Sequence, residues 1–476
     1  MKIPKFLSDL WDEPSPFQNR EARNQKQHNW EVLRVFAKSV GNFLAVAVNS
    51  VNEAVKNADD RMTDIEDSFN NQISGSTNLD EVIAGRKPKG KSAYKTIGLR
   101  MDDMVTIDGS FVDIDESMDV GGQLSDNIKS QLDEFALSLP REGFKVLVIT
   151  DSHYEDLYKS GNYQYPYAKD ALQHLAAVDY LSRYVDVVIA GGDNTNGLDG
   201  DLSHNVADQS LYCARLLQSA SDTDKFMLLG NHDDGSTGMR LGKIVPNDII
   251  KDDEFKKLFR TKKSLYGEKR DNGSLYFYKD YPDAKIRLIG LNGLDIPESV
   301  INDDGTVKYT RYLDYSYGQK QIDWLAHTAL DNIPTDYQII VTTHIPLVYG
   351  FTPSPETIWA NGNLVEGLLN AVATGSSFTG KSEDNIPNEL MAIVTADYSN
   401  QGSRKIVGLW AGHVHIERIT KLNNFTQCLF INDCNTNQDY VGTINALGLT
   451  VATVDTANSK VILNGVGRAT DREYDY

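Results

Sequence analysis

Apolar side chains between residues 28 and 76 recur at Leu33, Phe36, Val40, Phe43 and Ala47, alternating steps of three and four that trace a heptad seam. Beyond Ala47 they continue at Val51, Ala54, Ala58, Met62, Ile65, Phe69 and Ile73, an eleven-residue repeat with about 3.67 residues per turn. The spacing predicts one long helix over 28–76, left-handed in its supercoil at first and then nearly straight or slightly right-handed. A proline-free helix of this length with so narrow a stripe needs a partner surface, so self-association is expected. Residues 74–92 end it with Gly, Ser and Pro and carry Arg86, Lys87, Lys89 and Lys91, the composition of a solvated loop. Residues 105–115 alternate around Asp108-Gly109 and predict a small hairpin. A helix follows over Ser125–Leu137, stopped before Pro140.

From Phe144 the pattern changes to apolar, β-branched runs separated by helical stretches: KVLVIT, DVVIAGG, KFMLLG, IRLIGLN, YQIIVTTH and IVGLWAGH. Runs that are apolar on both faces predict an α/β layered architecture. Strand-like runs at 427–431, 446–454 and 459–465 are expected to form a second sheet packed on the first.

At 476 residues the chain is long enough for two or three folding units, and 40% hydrophobic with 24% charged residues is globular composition. Net charge is −20, yet the first 100 residues hold 15 basic and 13 acidic side chains, so the whole acidic excess lies beyond residue 100. That sign is opposite to a bulk field that grips nucleic acid, which is therefore not an expected partner. An anionic substrate would need local positive charge, and metal is the obvious source. Three cysteines, Cys213, Cys428 and Cys434, are too few for a disulfide scaffold and are expected as free thiols. The N-terminus lacks the apolar stretch of a signal peptide and no run approaches the ~18 residues of a membrane span, so cytoplasmic synthesis without membrane insertion is expected.

The chemistry lies at the ends of the apolar runs. They are followed in turn by Asp151-Ser152-His153, by Gly192-Asp193-Asn194, by Asn231-His232-Asp233, by His344 and by His413-Val414-His415. Open α/β sheets place ligands just beyond the carboxyl ends of their strands. Five of the nine histidines occupy these positions, and the remaining four, His28, His174, His204 and His327, fall in helical or loop contexts. Imidazole and carboxylate donors suit Mn, Fe, Zn or Ni rather than Ca, and a carboxylate is able to bridge two close cations.

In this order, Asp-x-His, Gly-Asp, Gly-Asn-His-Asp, a lone His and Gly-His-x-His resemble the signature of the calcineurin-like metallophosphoesterases over about residues 144–465, and Gln321-x-x-Trp324-Leu325 resembles a recurrent helix of that family. The resemblance implies a β-sandwich flanked by helices and two divalent metal ions. Asp151, His153 and His415 would hold the first ion, Asn231, His344 and His413 the second, and Asp193 would bridge both. Water polarised by the pair would attack phosphorus in line, with His232 outside the metal shell, near the leaving-group oxygen, where it would act as acid, or near a phosphate oxygen, and with Asp233 as its orienting partner. In the long polar stretch after Asn194, His204 is either a substrate contact or a solvated loop residue. The insertion between His344 and His413, with Tyr349, Phe351, Trp359 and the helix-like NLVEGLLNAVA, forms either a lid or wall over the metals or a small core of its own. Lys256, Lys257, Arg260, Lys262 and Lys263 are the one basic concentration in the acidic part, suited to a phosphate-bearing polymer or simply to a solvated helix.

Asp80-Glu81-Val82-Ile83, Arg86, Tyr94, Thr96-Ile97-Gly98 and Arg100-Met101-Asp102 resemble a short connector in tail and baseplate proteins of phages of Gram-positive bacteria. The expected organisation is an N-terminal attachment segment and coiled-coil helix over 1–76, a connector with a small β element over 77–120, and the catalytic domain over 121–476. The resemblances together imply a phosphodiesterase or phosphatase on a phage tail, a homo-oligomer (by analogy a trimer) joined to other tail or baseplate proteins. Located in the virion, it would act on the phosphodiester-linked wall polymer teichoic acid. Two alternatives stay open: a receptor-binding module that holds wall phosphates through metals without turnover, and a cellular enzyme acting on nucleotides or cyclic nucleotides.

Overall fold

The computed structural model describes residues 124–155, 166–198, 202–217, 223–237, 244–349 and 357–476. The long helix over 28–76, the connector over 77–120, the hairpin over 105–115 and Phe351 lie outside these residues.

The first described helix, α1 (Asp126–Ser138), is capped by Ser125, whose Oγ accepts from the Ile128 amide, and it stops where Leu139 turns extended ahead of Pro140. Then β1 (Phe144–Ile149), α2 (Ala171–Ser182), β2 (Val187–Ala190), α3 (Leu202–Leu217) and β3 (Asp224–Met227) alternate, so β1, β2 and β3 lie side by side and parallel. After α4 (Asp252–Leu258) come β4 (Phe277–Tyr281), β5 (Ile286–Gly290), the short β6 (Asp314–Ser316), α5 (Gln319–Trp324) and β7 (Gln338–Thr343). They are followed by β8 (Ile358–Ala360), α6 (Gly362–Thr374), the hairpin of β9 (Ser377–Lys381) and β10 (Ile393–Asp397), and β11 (Ile406–Ala411). The chain closes with β12 (Arg418–Lys421), β13 (Thr426–Leu429), β14 (Gly448–Asp455), β15 (Lys460–Gly467) and β16 (Arg472–Asp475).

Two six-stranded mixed sheets result, ordered β16-β15-β14-β1-β2-β3 and β12-β13-β11-β7-β5-β4. The apolar runs from residue 144 onward are strands, as the pattern predicts, but their partition differs from the expectation. Of the three tail runs, 427–431 is β13 and does join the second sheet beside β11, but the other two do not: β14 pairs antiparallel with β1 and, with β15, extends the first sheet, while the middle runs β5, β7 and β11 build most of the second. Strand pairing at this separation depends on which edge is left open after β1–β3 form, and no local pattern encodes that.

Period-two alternation sorts the side chains into layers. Val146 and Val148 of β1 meet Ile286, Leu288, Ile340 and Val407 of the opposite sheet in an apolar interior. Leu147 and Ile149 face outward to Leu132, Leu175 and Tyr212 of α1–α3. On the far side Ile339, Val341 and Leu409 pack against Ile322, Leu364 and Leu368 of α5 and α6. The fold is thus a helix–sheet–sheet–helix sandwich. The helix with the Gln-x-x-Trp-Leu pattern has a local job: Gln321 donates to the Asn292 carbonyl and accepts from the Asn292 amide, both at 2.8 Å, which clamps the chain as it leaves β5. No helix among the described residues is long and apolar enough to cross a membrane.

Candidate metal centre

The carboxyl ends of β1, β2 and β3 from one sheet and of β7 and β11 from the other meet at one rim. Asp151 and His153 follow β1, Asp193 follows β2, Asn231 and His232 follow β3, His344 follows β7, and His413 and His415 follow β11. The two sheets are stitched there. The amide of His413 donates to both Asp151 oxygens at 3.0 Å, and His344 Nδ1 donates to the Gly191 carbonyl at 2.9 Å. The latter bond fixes the His344 tautomer and leaves Nε2 as the inward-facing lone pair.

The side chains form two groups that share one member. Donor atoms of Asp151, His153, Asp193 and His415 lie within 4.8 Å of one another, and so do those of Asp193, His344 and His413. In the first group His415 Nε2 stands 3.2 Å from Asp151 Oδ1 and 3.1 Å from His153 Nε2. In the second, Asn231 Oδ1 is 2.8 Å from His413 Nδ1 and 3.2 Å from His344 Nε2. Asp193 is held between them: its Oδ1 accepts the His232 amide at 2.8 Å, while Oδ2 lies 3.7 Å from His153 Nε2 and 3.3 Å from His344 Nε2.

Holding so many polar groups at one point strains the backbone. Asp151, His153, Asp193, His413 and His415 all have positive φ, between 49° and 70°, a region that costs non-glycine residues roughly 1–3 kcal/mol each. Glycine relieves the crowding where it is worst. A Cβ on Gly192 (φ 95°) would sit 2.5 Å from His344 Nδ1, and one on Gly412 would sit 2.1 Å from Thr150 Oγ1.

The electrostatics are those of buried, opposed charges. Burial resists ionisation of Asp151, yet His415 beside it holds the carboxyl at about 2. Burial likewise opposes charge on His344, but the Asp193 carboxylate raises it to about 9. His413 is pushed down to about 3 by burial and by the His344 charge. Burial and then Asp193 raise Asp233 to about 7. A site that traps protons on some nitrogens and excludes them from others is one in which cations would replace protons.

Two sequence expectations change here. Asp233 does not orient His232. Its carboxylate points inward, accepting from the amides of Gly230 at 2.7 Å and Thr195 at 2.9 Å and from the Gln209 and Asn194 side-chain amides, so it shapes the turn after β3. His232 Nδ1 instead donates to the Asn196 carbonyl at 2.9 Å, and its ring stands edge-on to His153 at 4.6 Å. His204 is not on a loop but in the first turn of α3.

Residues 144–374 match the family described as calcineurin-like phosphoesterase. The chain carries a metallophosphoesterase domain. The matched stretch spans Asp151, His153, Asp193, Asn231, His232 and His344, and the fold delivers His413 and His415 from beyond it. Several solved structures are similar to this chain. A dimetal phosphatase from Danio rerio is 14% identical with a TM-score of 0.43, covering 70% of this chain and 100% of its own. GAP50, the anchor in the inner membrane complex of Plasmodium, is 10% identical with a TM-score of 0.34, covering 70% and 88%. Phosphopantetheinyl hydrolase from Mycobacterium tuberculosis is 12% identical with a TM-score of 0.28, covering 61% and 90%. No curated protein matches the chain.

Beside Tyr349 and Trp359 of the insertion, the surroundings of the metallophosphoesterase centre include residues the sequence did not single out. Tyr315 and Tyr349 stand edge-on to His413 at 5.3 Å and 5.6 Å, and Tyr349 also packs on Trp359. Tyr349 and Trp359 of the insertion are therefore packed side chains, Tyr349 buttressing His413 and Trp359 buttressing Tyr349, and α6 is buried against the second sheet. Glu155 accepts from the Asn196 side chain at 2.7 Å, behind the carbonyl that holds His232. Cys434 lies within 4.8 Å of the His153 and His415 donors. None of these sits at a strand end, the one signal the sequence offered. Of the basic cluster, Lys256 is paired with Asp253 at 3.0 Å.

Proposed function

We propose that the protein hydrolyses phosphoesters at a pair of divalent cations, Asp151, His153 and His415 holding one, Asn231, His344 and His413 the other, and Asp193 shared. The observation that carries this reading is the pair of donor groups joined at the Asp193 carboxylate. The donors suit such ions: imidazoles, that of His344 with its tautomer set by a backbone acceptor, carboxylates, and one amide oxygen, drawn together at a cost in backbone strain. Bound there, the cations supply positive charge for phosphoryl oxygens and acidify water. The chain does the rest. Asp151 is fixed by Thr150 Oγ1 at 2.6 Å and by the His413 amide, so it keeps one orientation. His232 donates through Nδ1 to Asn196, so its second ring proton, when the ring is charged, resides on Nε2 and is the one available to a departing oxygen.

The substrate we infer is the phosphodiester backbone of a bacterial wall teichoic acid, met by an enzyme displayed on a phage tail. Its support lies in the sequence: the connector resemblance at 80–102 and the self-associating stripe over 28–76, which would carry several catalytic heads, three by analogy with tail fibres, on one stem and raise their effective concentration at a repetitive polymer. Incubation of the full chain with purified teichoic acid in the presence of Mn2+ or Zn2+ should release phosphate-ester fragments, with the rate falling at least ~10³-fold in Asp193→Ala. Turnover of cyclic nucleotides with no teichoic fragment would remove the wall polymer and keep the chemistry. No turnover of any phosphoester would remove both.

A further inference from the structure

Cys434 is the one cysteine of the three that faces the metal centre. Cys213 lies on α3 among the helices and Cys428 lies between the sheets. The segment carrying Cys434 runs beside the end of β1: the Asp433 amide donates to the Thr150 carbonyl at 2.8 Å, and the Cys434 amide donates to the Asp151 carbonyl at 3.1 Å. Asp433 pins the segment further, accepting the Gly448 amide at 3.0 Å and meeting His174 Nδ1 at 2.8 Å. This anchoring brings Sγ to within 4.8 Å of the donor nitrogens of His153 and His415, a third group of donors that overlaps the first. The sulfur is buried, packed on Ala168, and receives a hydrogen bond from Asn432 Nδ2 at 2.9 Å. Burial pushes the thiol up to about 12, and a cation binding there would displace its proton, since sulfur binds metal as the thiolate.

We propose that Cys434 is a metal donor, its thiolate joining His153 and His415 on the cation that Asp151 and Asp193 also face. The inference rests on the two-cation reading and deepens it. Binding releases the thiol proton to solvent, leaving a sulfur–metal bond with no redox change. A sulfur donor makes that position softer than its carboxylate and imidazole neighbours, so it selects Zn2+ or Fe2+ over Mn2+.

The test is spectroscopic. The full chain, stripped of metal, is titrated with Co2+, whose visible ligand-field absorption reports binding and whose near-ultraviolet charge-transfer absorption reports a thiolate ligand. The wild type should show both, and Cys434→Ser should keep the first and lose the second, with Zn2+ affinity about 10- to 100-fold weaker and Mn2+ affinity nearly unchanged. Should Cys434→Ser not fold, the double variant Cys213→Ala with Cys428→Ala, which leaves Cys434 as the sole cysteine, must retain the charge-transfer absorption. Ligand-field absorption without charge transfer in the wild type overturns the cysteine assignment alone, as does charge transfer that survives Cys434→Ser. Absence of both absorptions overturns the two-cation reading itself.

Discussion

His232 illustrates how one hydrogen bond assigns a role. With Nδ1 committed to the Asn196 carbonyl, the ring is held beside His153 and not inside either donor group. His232→Asn should therefore leave metal content unchanged and slow hydrolysis of esters with poor alkoxide leaving groups by ~10²–10⁴-fold. Activated p-nitrophenyl esters should slow much less, and equal losses on both would remove the acid role. Asp314 offers a pH test away from the centre. It is buried, accepts the Thr310 amide at 2.7 Å, and burial raises its carboxyl from 3.8 to about 6. Between those values the folded state binds more protons than the unfolded one, so this group's contribution to stability falls as pH rises through about 4 to 6 and stays low above. Asp314→Asn removes that penalty and keeps an acceptor for Thr310. Its stability relative to wild type should accordingly be greater at pH 8 than at pH 4, by on the order of 1–3 kcal/mol in urea denaturation. A difference independent of pH would contradict the assignment.

At the scale of elements, the strands and their terminal residues were legible, because a both-faces-buried strand must be an unbroken apolar run and a rim residue must interrupt it. KVLVIT followed by Asp-Ser-His carries both signals in nine residues. The sheet partition was not legible, since β14 joins β1 across some 300 residues on grounds of edge availability alone. Nor was the inward turn of Asp233, which depends on amides from β2's loop and on Gln209 of α3. Cys434 escaped for a similar reason, being delivered by backbone pairing to Thr150 and Asp151. Arg311 was equally silent. It is fully buried just before β6, and it ties Asp234, Asp252 at the start of α4 and Glu298 together, with Nη2–oxygen distances of 2.7 Å to Asp252 and 2.6 Å to Glu298. Arg311→Met leaves these carboxylates without their cation, and should lower stability by about 3–5 kcal/mol in chemical denaturation. A loss under about 1 kcal/mol would show that the loops are held by other means.

For the whole molecule, the centre is a product of the sandwich and not of either half. One sheet contributes Asp151, His153, Asp193 and Asn231, the other His344, His413 and His415, and Asp193 stands where the two contributions meet. Neither sheet alone has a complete donor group for two ions. The account therefore turns on occupancy at this junction. Anomalous diffraction from crystals of the full chain grown with Zn2+ or Mn2+ should reveal two ions per chain, one on each side of the Asp193 carboxylate, with Asp193→Ala losing at least one of them. A single ion remote from Asp193, or none at the junction at saturating metal, would contradict the account.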